Sequence, residues 1–372
     1  MTEPMRMQRS SRDPEQTRQR LESWLADTLG PGSTPAISEL TGTEANGMSS
    51  DTMLFRATWK AEDGDHDERL VARVAPDAAD VPVFPTYDLQ AQYDVIRKVG
   101  ELTDAPVPRT WWCEGSPEPM GAPFFVMSQV DGVVPPDVMP YTFGSNWLFD
   151  ATAEQQQTLQ TTTVEAIAAL HDVADPLTRF AFLERKTSGD THLRRHFANT
   201  ADWYAMVKRD GVASDLVERA FEWLADNFPA HESEPVLSWG DSRIGNVLYD
   251  DFRPVALLDW EMAGLGPPEL DVAWLVYAHH VFQSMAALLE LPGLPRFLTP
   301  ADVATQYESL RGYAVRDLRW FLLYSAIQWG IVFLRTGHRQ AHFGEREMPA
   351  NPDELIHNRA HLESLLAELG DL

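Results

Sequence analysis

Asp241, Asn246 and Asp259 are the side chains whose types and spacing best suit chemistry in this sequence. Asp241 and Asn246 stand five apart in Gly-Asp-Ser-Arg-Ile-Gly-Asn, followed by the apolar run Val-Leu-Tyr. Asp259 lies thirteen beyond Asn246, after a second apolar run, Val-Ala-Leu-Leu. A two-strand hairpin would return Asp259 beside Asn246, gathering three oxygen ligands or bases at one end. Magnesium takes hard oxygen ligands and keeps water and substrate phosphates in its remaining positions. A carboxylate beside such an ion can accept a hydroxyl proton. Phosphoryl transfer needs these parts together with positive charge for the transition state, which Arg243 could supply. The plain alternative is a loop built from turn-forming Asp and Asn.

The elements that must position these residues can be read along the chain. Asp13 caps a first helix with Pro14 in its opening turn, and Gly30-Pro31 ends it. Thr52 to Lys60 and Leu70 to Val74 flank a polar turn and read as a hairpin. A helix follows from about Leu89 to Val99, then strands over Pro106 to Cys113 and Pro123 to Val130. After Asp131-Gly132 a Pro- and aromatic-rich loop leads to a helix from about Ala153 to Leu170. Helical patterns then dominate to the C-terminus, interrupted at Val236 to Trp260 by short apolar runs broken by Asp, Gly and Asn. The division expected is a helical extension over residues 1–34, a small β-rich lobe over 35–131 and a larger, mainly helical lobe over 132–372.

The chain has 372 residues, enough for two or so domains of about 150 residues each. Its 30 basic and 56 acidic residues leave a net charge of −26. Such a surface repels phosphate backbones and anionic lipid, so nucleic acid and membrane surfaces are poor partners. Cationic small molecules would be attracted, and simple solubility explains the charge equally well. A single cysteine, Cys113, excludes an intrachain disulfide and a multi-cysteine zinc site. The N-terminus has no apolar signal core. The longest runs without a charged residue, Val272 to Leu289 and Trp320 to Leu334, read as buried helices rather than membrane spans. A cytoplasmic protein is expected.

The sequence resembles the aminoglycoside phosphotransferase family, which shares a protein-kinase-like fold with choline kinases. That family's catalytic loop reads His-Gly-Asp, four residues, Asn; here the run is Trp239-Gly240-Asp241-Ser242-Arg243-Ile244-Gly245-Asn246. Its metal segment is an Asp after a short apolar strand, here Leu258-Asp259-Trp260-Glu261, followed by Gly266-Pro267-Pro268-Glu269-Leu270-Asp271-Val272-Ala273. The resemblance covers roughly residues 35 to 340. It implies an α+β, bilobal fold with a small antiparallel N-terminal lobe and a larger helical C-terminal lobe. It implies Asp241 as catalytic base, and Asn246 and Asp259 as holders of Mg2+, with ATP as phosphoryl donor.

In the N-terminal lobe the resemblance puts Gly47, Met48 and Ser49 where the nucleotide loop falls, and Arg73 where a phosphate-pairing lysine stands. Arg grips phosphate bidentately and is no neutral exchange for Lys. The helix glutamate that usually pairs with this cation is replaced by Gln92, which can hydrogen-bond Arg73 but cannot neutralise it. The run Phe125 to Gly132 resembles the interlobe hinge, which makes the Ser128 C=O and Val130 N–H the adenine contacts. Trp239 replaces the usual His. Asp271 reads as a helix cap, Glu261 and Glu269 as exposed loop carboxylates open to a cationic substrate, and His171 as structural.

The activity implied is transfer of the ATP γ-phosphoryl group to a hydroxyl of a small molecule. An aminoglycoside is one such acceptor, with antibiotic resistance as its consequence, and the acidic surface suits it. The alternatives are a kinase of another small metabolic alcohol and a catalytically weak nucleotide-binding regulator, the latter motivated by Gln92 and Trp239. Acceptor-binding residues are expected between about 180 and 230 and in the helices after 271.

Overall fold

The computed structural model describes residues 12–42, 51–137 and 140–370. The first helix, α1 (Pro14–Leu29), is capped by Asp13, whose carboxylate accepts from the Gln16 N–H, and Gly30 ends it at φ 83°. A six-stranded antiparallel sheet follows: β1 (Ala36–Ile37), β2 (Thr41–Gly42), β3 (Asp51–Ala61), β4 (Gly64–Val74), β5 (Thr110–Glu114) and β6 (Phe124–Ser128). Its spatial order is β1-β3-β4-β6-β5, with β2 also pairing to β3.

The hairpin expected from Thr52 to Val74 forms, but with a tighter turn. Pairing runs from Asp51↔Val74 to Ala61↔Gly64, so only Glu62 and Asp63 remain as the connection. The polar run Asp65 to Glu68, expected as turn, is strand. There Asp65 and Asp67 are exposed, while His66 stacks on the buried Trp59 across the pair, so the polar run continues the ladder. Helix α2 (Leu89–Leu102) buries Leu89, Gln92, Val95, Ile96 and Val99 along one stripe and packs on β5 and β6.

The rest of the chain is mainly helical: α3 (Ala153–His171), α4 (Pro176–Arg179), α5 (His192–Arg209), α6 (Asp215–Asp226), α7 (Glu269–Leu288), α8 (Pro300–Arg311), α9 (Leu318–His342) and α10 (Arg359–Glu368). The two charge-free runs lie inside α7 and α9, which pack against each other at the centre of this lobe. No helix among the described residues is long and apolar enough to cross a membrane.

Between α6 and α7 lie four short strands: β7 (Val236–Ser238), β8 (Val247–Asp250), β9 (Arg253–Leu257) and β10 (Gly264–Gly266). β8 and β9 form the hairpin expected from the spacing, paired from Val247↔Leu257. β7 and β10 form a second ladder, Ser238↔Gly264. Several links join the lobes, the Leu257 N–H to the Pro106 carbonyl at 2.8 Å among them. Past the hinge, Val133 exchanges two 2.9 Å backbone hydrogen bonds with Tyr249 of β8. On the opposite side the β4–α2 connection docks on the helical lobe, where Trp203 Nε1 donates to the Val83 carbonyl at 2.8 Å and Arg335 Nε to that of Pro82 at 2.9 Å.

Candidate active site

The β8–β9 hairpin brings the three oxygen-bearing residues together. The Leu258 N–H donates to the Asn246 carbonyl at 2.8 Å, so Asp259 emerges beside Asn246. Asp259 takes a left-handed conformation, φ 60°. Asp tolerates this region better than bulkier residues do, and such strain is concentrated at functional sites. Asn246 Nδ2 donates to the Asp241 carbonyl at 3.1 Å, closing the loop between them.

The loop carrying Asp241 is gripped from below by Asp271. The Trp239 and Gly240 N–H groups donate to its two carboxylate oxygens, both at 2.8 Å, and Ser238 Oγ at 3.1 Å. His171 Nε2 lies 2.9 Å from Oδ2, and Ser242 Oγ donates to the Asp271 backbone carbonyl at 2.8 Å. Asp271 is therefore not the cap expected: Pro268 occupies that place, and the carboxylate is spent on the loop. His171 is structural, as the sequence indicated, with Nδ1 2.6 Å from the Tyr307 hydroxyl. Gly240, at φ 89°, admits no side chain, because a Cβ there would stand 2.4 Å from the Met262 carbonyl oxygen.

Asp241 itself is largely enclosed, its side chain 14% exposed, beside two donors. Trp274 Nε1 donates to its Oδ1 at 2.6 Å, and Arg243 Nε lies 3.3 Å from the same oxygen. Burial raises the Asp241 carboxyl above its usual value, against the opposing pull of Arg243. Trp274 was not singled out in the sequence; an indole three residues into a long apolar run carries no signal of its own. Arg243 is itself bound at 2.6 Å to Asp137. Burial works against its charge, yet Asp137 and Asp241 hold its pKa above the ordinary value.

Arg73 reaches down from β4 to this centre. Its Nη2 donates to Asp259 Oδ1 at 2.8 Å and stands 3.8 Å from Glu261. Nη1 lies 3.5 Å from Thr52 Oγ1. Burial opposes the charge, while Asp259 and Glu261 raise the pKa. Gln92 is buried and lines the same cavity, but Arg73 turns to Thr52, Asp259 and Glu261 instead. The anions facing Arg73 thus come from the Asp259–Glu261 segment rather than from α2. Glu261 is not exposed, and neither is Glu269, which accepts from Ser233 Oγ at 2.7 Å and the Arg316 N–H at 3.2 Å.

Between the lobes is a cavity of about 290 Å³. Val71, Ile96, Met127 and Leu248 give it an apolar lining, Ser128 and Val130 border it at the hinge, and Arg73, Asn246 and Asp259 stand at its polar end. Gly47, Met48 and Ser49 lie outside the described residues. Trp239, in the usual histidine position, is fully buried; Nε1 donates to the Leu258 carbonyl at 2.9 Å, tying the loop to the residue before Asp259. Cys113 sits in β5, half-buried, with burial pushing its thiol up to about 12.

The chain is similar to known proteins in fold and in sequence. A Ralstonia eutropha protein carrying the aminoglycoside phosphotransferase name superposes with TM-score 0.63 at 18% identity, over 94% of this chain and 97% of that one. A macrolide 2′-phosphotransferase of type I superposes with TM-score 0.54 at 18% identity, over 88% and 95%. A thermostable mutant of aminoglycoside phosphotransferase APH(4)-Ia, in ternary complex with AMP-PNP and hygromycin B, gives TM-score 0.53 at 16% identity, over 95% and 99%. These likenesses establish the fold, a bilobal kinase-like α+β architecture. Among curated proteins, Arabidopsis thaliana IBR3, named as an acyl-CoA dehydrogenase, is 25% identical over 74% of this chain but only 33% of its own length. Human acyl-CoA dehydrogenase family member 11 is 25% identical over 45% of this chain and 20% of its own. The chain thus spans a third or less of these relatives. The sequence model of the phosphotransferase enzyme family matches residues 48–296, well over half of the chain, and the protein belongs to that family.

Proposed function

We propose that this phosphotransferase moves the γ-phosphoryl group of ATP to a hydroxyl of a small molecule. The observation that carries the reading is the meeting of Asp241, Asn246 and Asp259 at one end of β8–β9, beneath a cavity with Arg73 at its polar end. In this reading Ser128 and Val130 offer backbone groups to adenine, and Arg73, with the backbone of Gly47 to Ser49, holds phosphate. Asp241 orients the acceptor hydroxyl and takes its proton. Arg243 keeps that carboxylate in place and adds positive charge beside the transferring group.

The donor set fits Mg2+. Asn246 and Asp259 supply hard oxygens, and no group of three or more His, Cys, Asp or Glu side chains that could hold a metal occurs among the described residues. A site of so few protein ligands suits an ion that keeps water and substrate phosphates in its shell. When bound, Mg2+ would neutralise charge on the phosphate oxygens. The nucleotide and aminoglycoside in the APH(4)-Ia complex support ATP as donor and a small hydroxyl compound as acceptor. Use of ATP is in keeping with a cytoplasmic protein.

For the acceptor, a metabolic alcohol is favoured over an aminoglycoside, and antibiotic resistance would follow only from the latter. Glu261 and Glu269, the carboxylates the sequence offered to a cationic acceptor, are both spent inside the protein. The curated relatives, moreover, are named for acyl-CoA chemistry. Magnesium-dependent ADP release, followed across aminoglycosides and metabolic alcohols, tests the reading. Stimulation by an acceptor that Asp241→Asn abolishes supports it; acceptor-stimulated turnover that survives Asp241→Asn refutes it.

A further inference from the structure

Arg185 lies between α4 and α5 in a position the reaction so far does not use. Its Nη2 donates to the Met262 carbonyl at 3.2 Å and stands 3.3 Å from His196 Nε2. Its Nε is buried with no hydrogen-bond partner. Among the described residues no carboxylate lies within ion-pair distance of it. Its neighbour Glu184 is engaged elsewhere, 2.6 Å from Arg195 and 3.3 Å from His192. In a chain with 56 acidic and 30 basic residues, a half-buried guanidinium with no carboxylate in ion-pair reach and a buried, unpartnered Nε is an exception that needs a cause. Burying a cation without a counter-charge is costly. His196 offers no charge either: burial, and then Arg185, push its imidazole well below its usual value. Burial pulls Arg185 down as well.

The position is close to the chemistry. The Met262 carbonyl that accepts from Arg185 also packs on Gly240, the residue before Asp241. A Cβ on Gly264 would stand 3.2 Å from Arg185 Nη2. The guanidinium therefore borders the Met262–Gly264 segment, which itself packs against the loop that carries Asp241. Arg185 as a residue is half-buried rather than sealed in the core, which leaves it open to a ligand.

We propose that Arg185 binds an acid group of the acceptor, so that the acceptor is a small hydroxy acid, its oxyanion on Arg185 and its hydroxyl toward Asp241. The proposal rests on the phosphotransfer reading of Asp241. Arg185 suits either a carboxylate or a phosphate ester, since guanidinium pairs well with both.

The test uses the full chain, with short hydroxycarboxylates such as hydroxybutyrates, hydroxyalkyl phosphates and uncharged diols of matching length as acceptors in magnesium-dependent ADP release. Wild type is expected to turn over hydroxy acids and to leave the diols untouched; the carboxylate and phosphate arms then say which oxyanion is taken. Arg185→Met should raise KM for the hydroxy acid by about tenfold to a hundredfold, the worth of a charged hydrogen bond. Its kcat should stay within a few-fold and its MgADP affinity should be unchanged, while Arg185→Lys should recover part of the loss. Diols turned over as well as hydroxy acids, or equal KM effects on both, would overturn the proposal. So would loss of MgADP binding in both variants, which would make Arg185 a structural prop, and so would silence of every hydroxy acid. Failure of the underlying reading looks different: wild type would not bind MgATP, or Asp241→Asn would turn over like wild type.

Discussion

The Arg73 guanidinium, carried on the N-terminal sheet, donates at 2.8 Å to the Asp259 carboxylate, which the β8–β9 hairpin of the other lobe presents. The cation that would hold phosphate and the anion that would hold metal are thus each other's partner. Glu261 at 3.8 Å adds a second negative charge, and α2 contributes only the neutral Gln92. The position of Arg73 is set by the Asp259–Glu261 segment, and nucleotide binding would redistribute an ion pair that already exists.

Gln92→Ala should therefore change MgADP affinity by less than about threefold, because no charge on α2 holds Arg73. Arg73→Met should weaken that affinity at least about tenfold. It should also destabilise the fold by about 3–5 kcal/mol, since it strands buried carboxylates without their cation. Isothermal titration and urea denaturation measure the two effects. A larger loss from Gln92→Ala than from Arg73→Met would return the anchoring role to α2.

Asp271→Asn should be costly although it is nearly isosteric. The carboxylate accepts from two backbone N–H groups, a serine hydroxyl and His171. An amide has one acceptor oxygen, and its NH2 would face donors. A loss of about 2–4 kcal/mol is expected, because hydrogen bonds to a charged group are worth about 1.5–3 kcal/mol each. The urea midpoint should fall at constant slope, with turnover falling alongside as the Asp241 loop loosens. Unchanged stability would contradict the anchoring role.

The raised Asp241 pKa has a sign that can be measured. A carboxyl held above its unfolded value favours the folded state at low pH, and that contribution is lost as pH rises through the folded pKa. Asp241→Asn should therefore stabilise the fold at neutral pH and flatten this part of the stability profile. It should cost about 10²–10⁴ in turnover, the usual worth of a general base. Turnover of the wild type should fall on the acid side as Asp241 protonates.

Trp274→Phe removes the 2.6 Å donor to Asp241, an interaction that lowers that carboxyl's pKa. The acid limb of the pH–rate profile should move to higher pH. Its direction separates a hydrogen-bonding role for the indole from a packing role, which would lower turnover at every pH without moving the limb.

Much of the site was legible because it is local in sequence. Asp241, Asn246 and Asp259 are joined by two short apolar runs, Val-Leu-Tyr and Val-Ala-Leu-Leu, whose spacing specifies a hairpin that closes on itself. The α1 cap and the two central helices were equally readable, from Asp13-Pro14 and from charge-free runs of helical length. What escaped depends on contacts distant in the chain. The partners of Arg73 lie 186 and 188 positions away, so nothing near Gln92 could reveal that anions from the Asp259–Glu261 segment face this cation. Asp271 reads as a cap from its place at a helix start, and only the return of β7 beneath α7 turns it into the anchor of the loop. Glu261 and Glu269 look like loop carboxylates until the fold encloses them.

The most direct measurement is magnesium-dependent release of ADP from ATP, with and without a hydroxyl acceptor, in wild type and Asp241→Asn side by side. The account predicts acceptor-stimulated turnover in wild type that falls by at least about a hundredfold in the variant, while both bind MgADP equally. Equal acceptor-stimulated turnover in the two proteins, or tight nucleotide binding with no turnover on any acceptor, would contradict it.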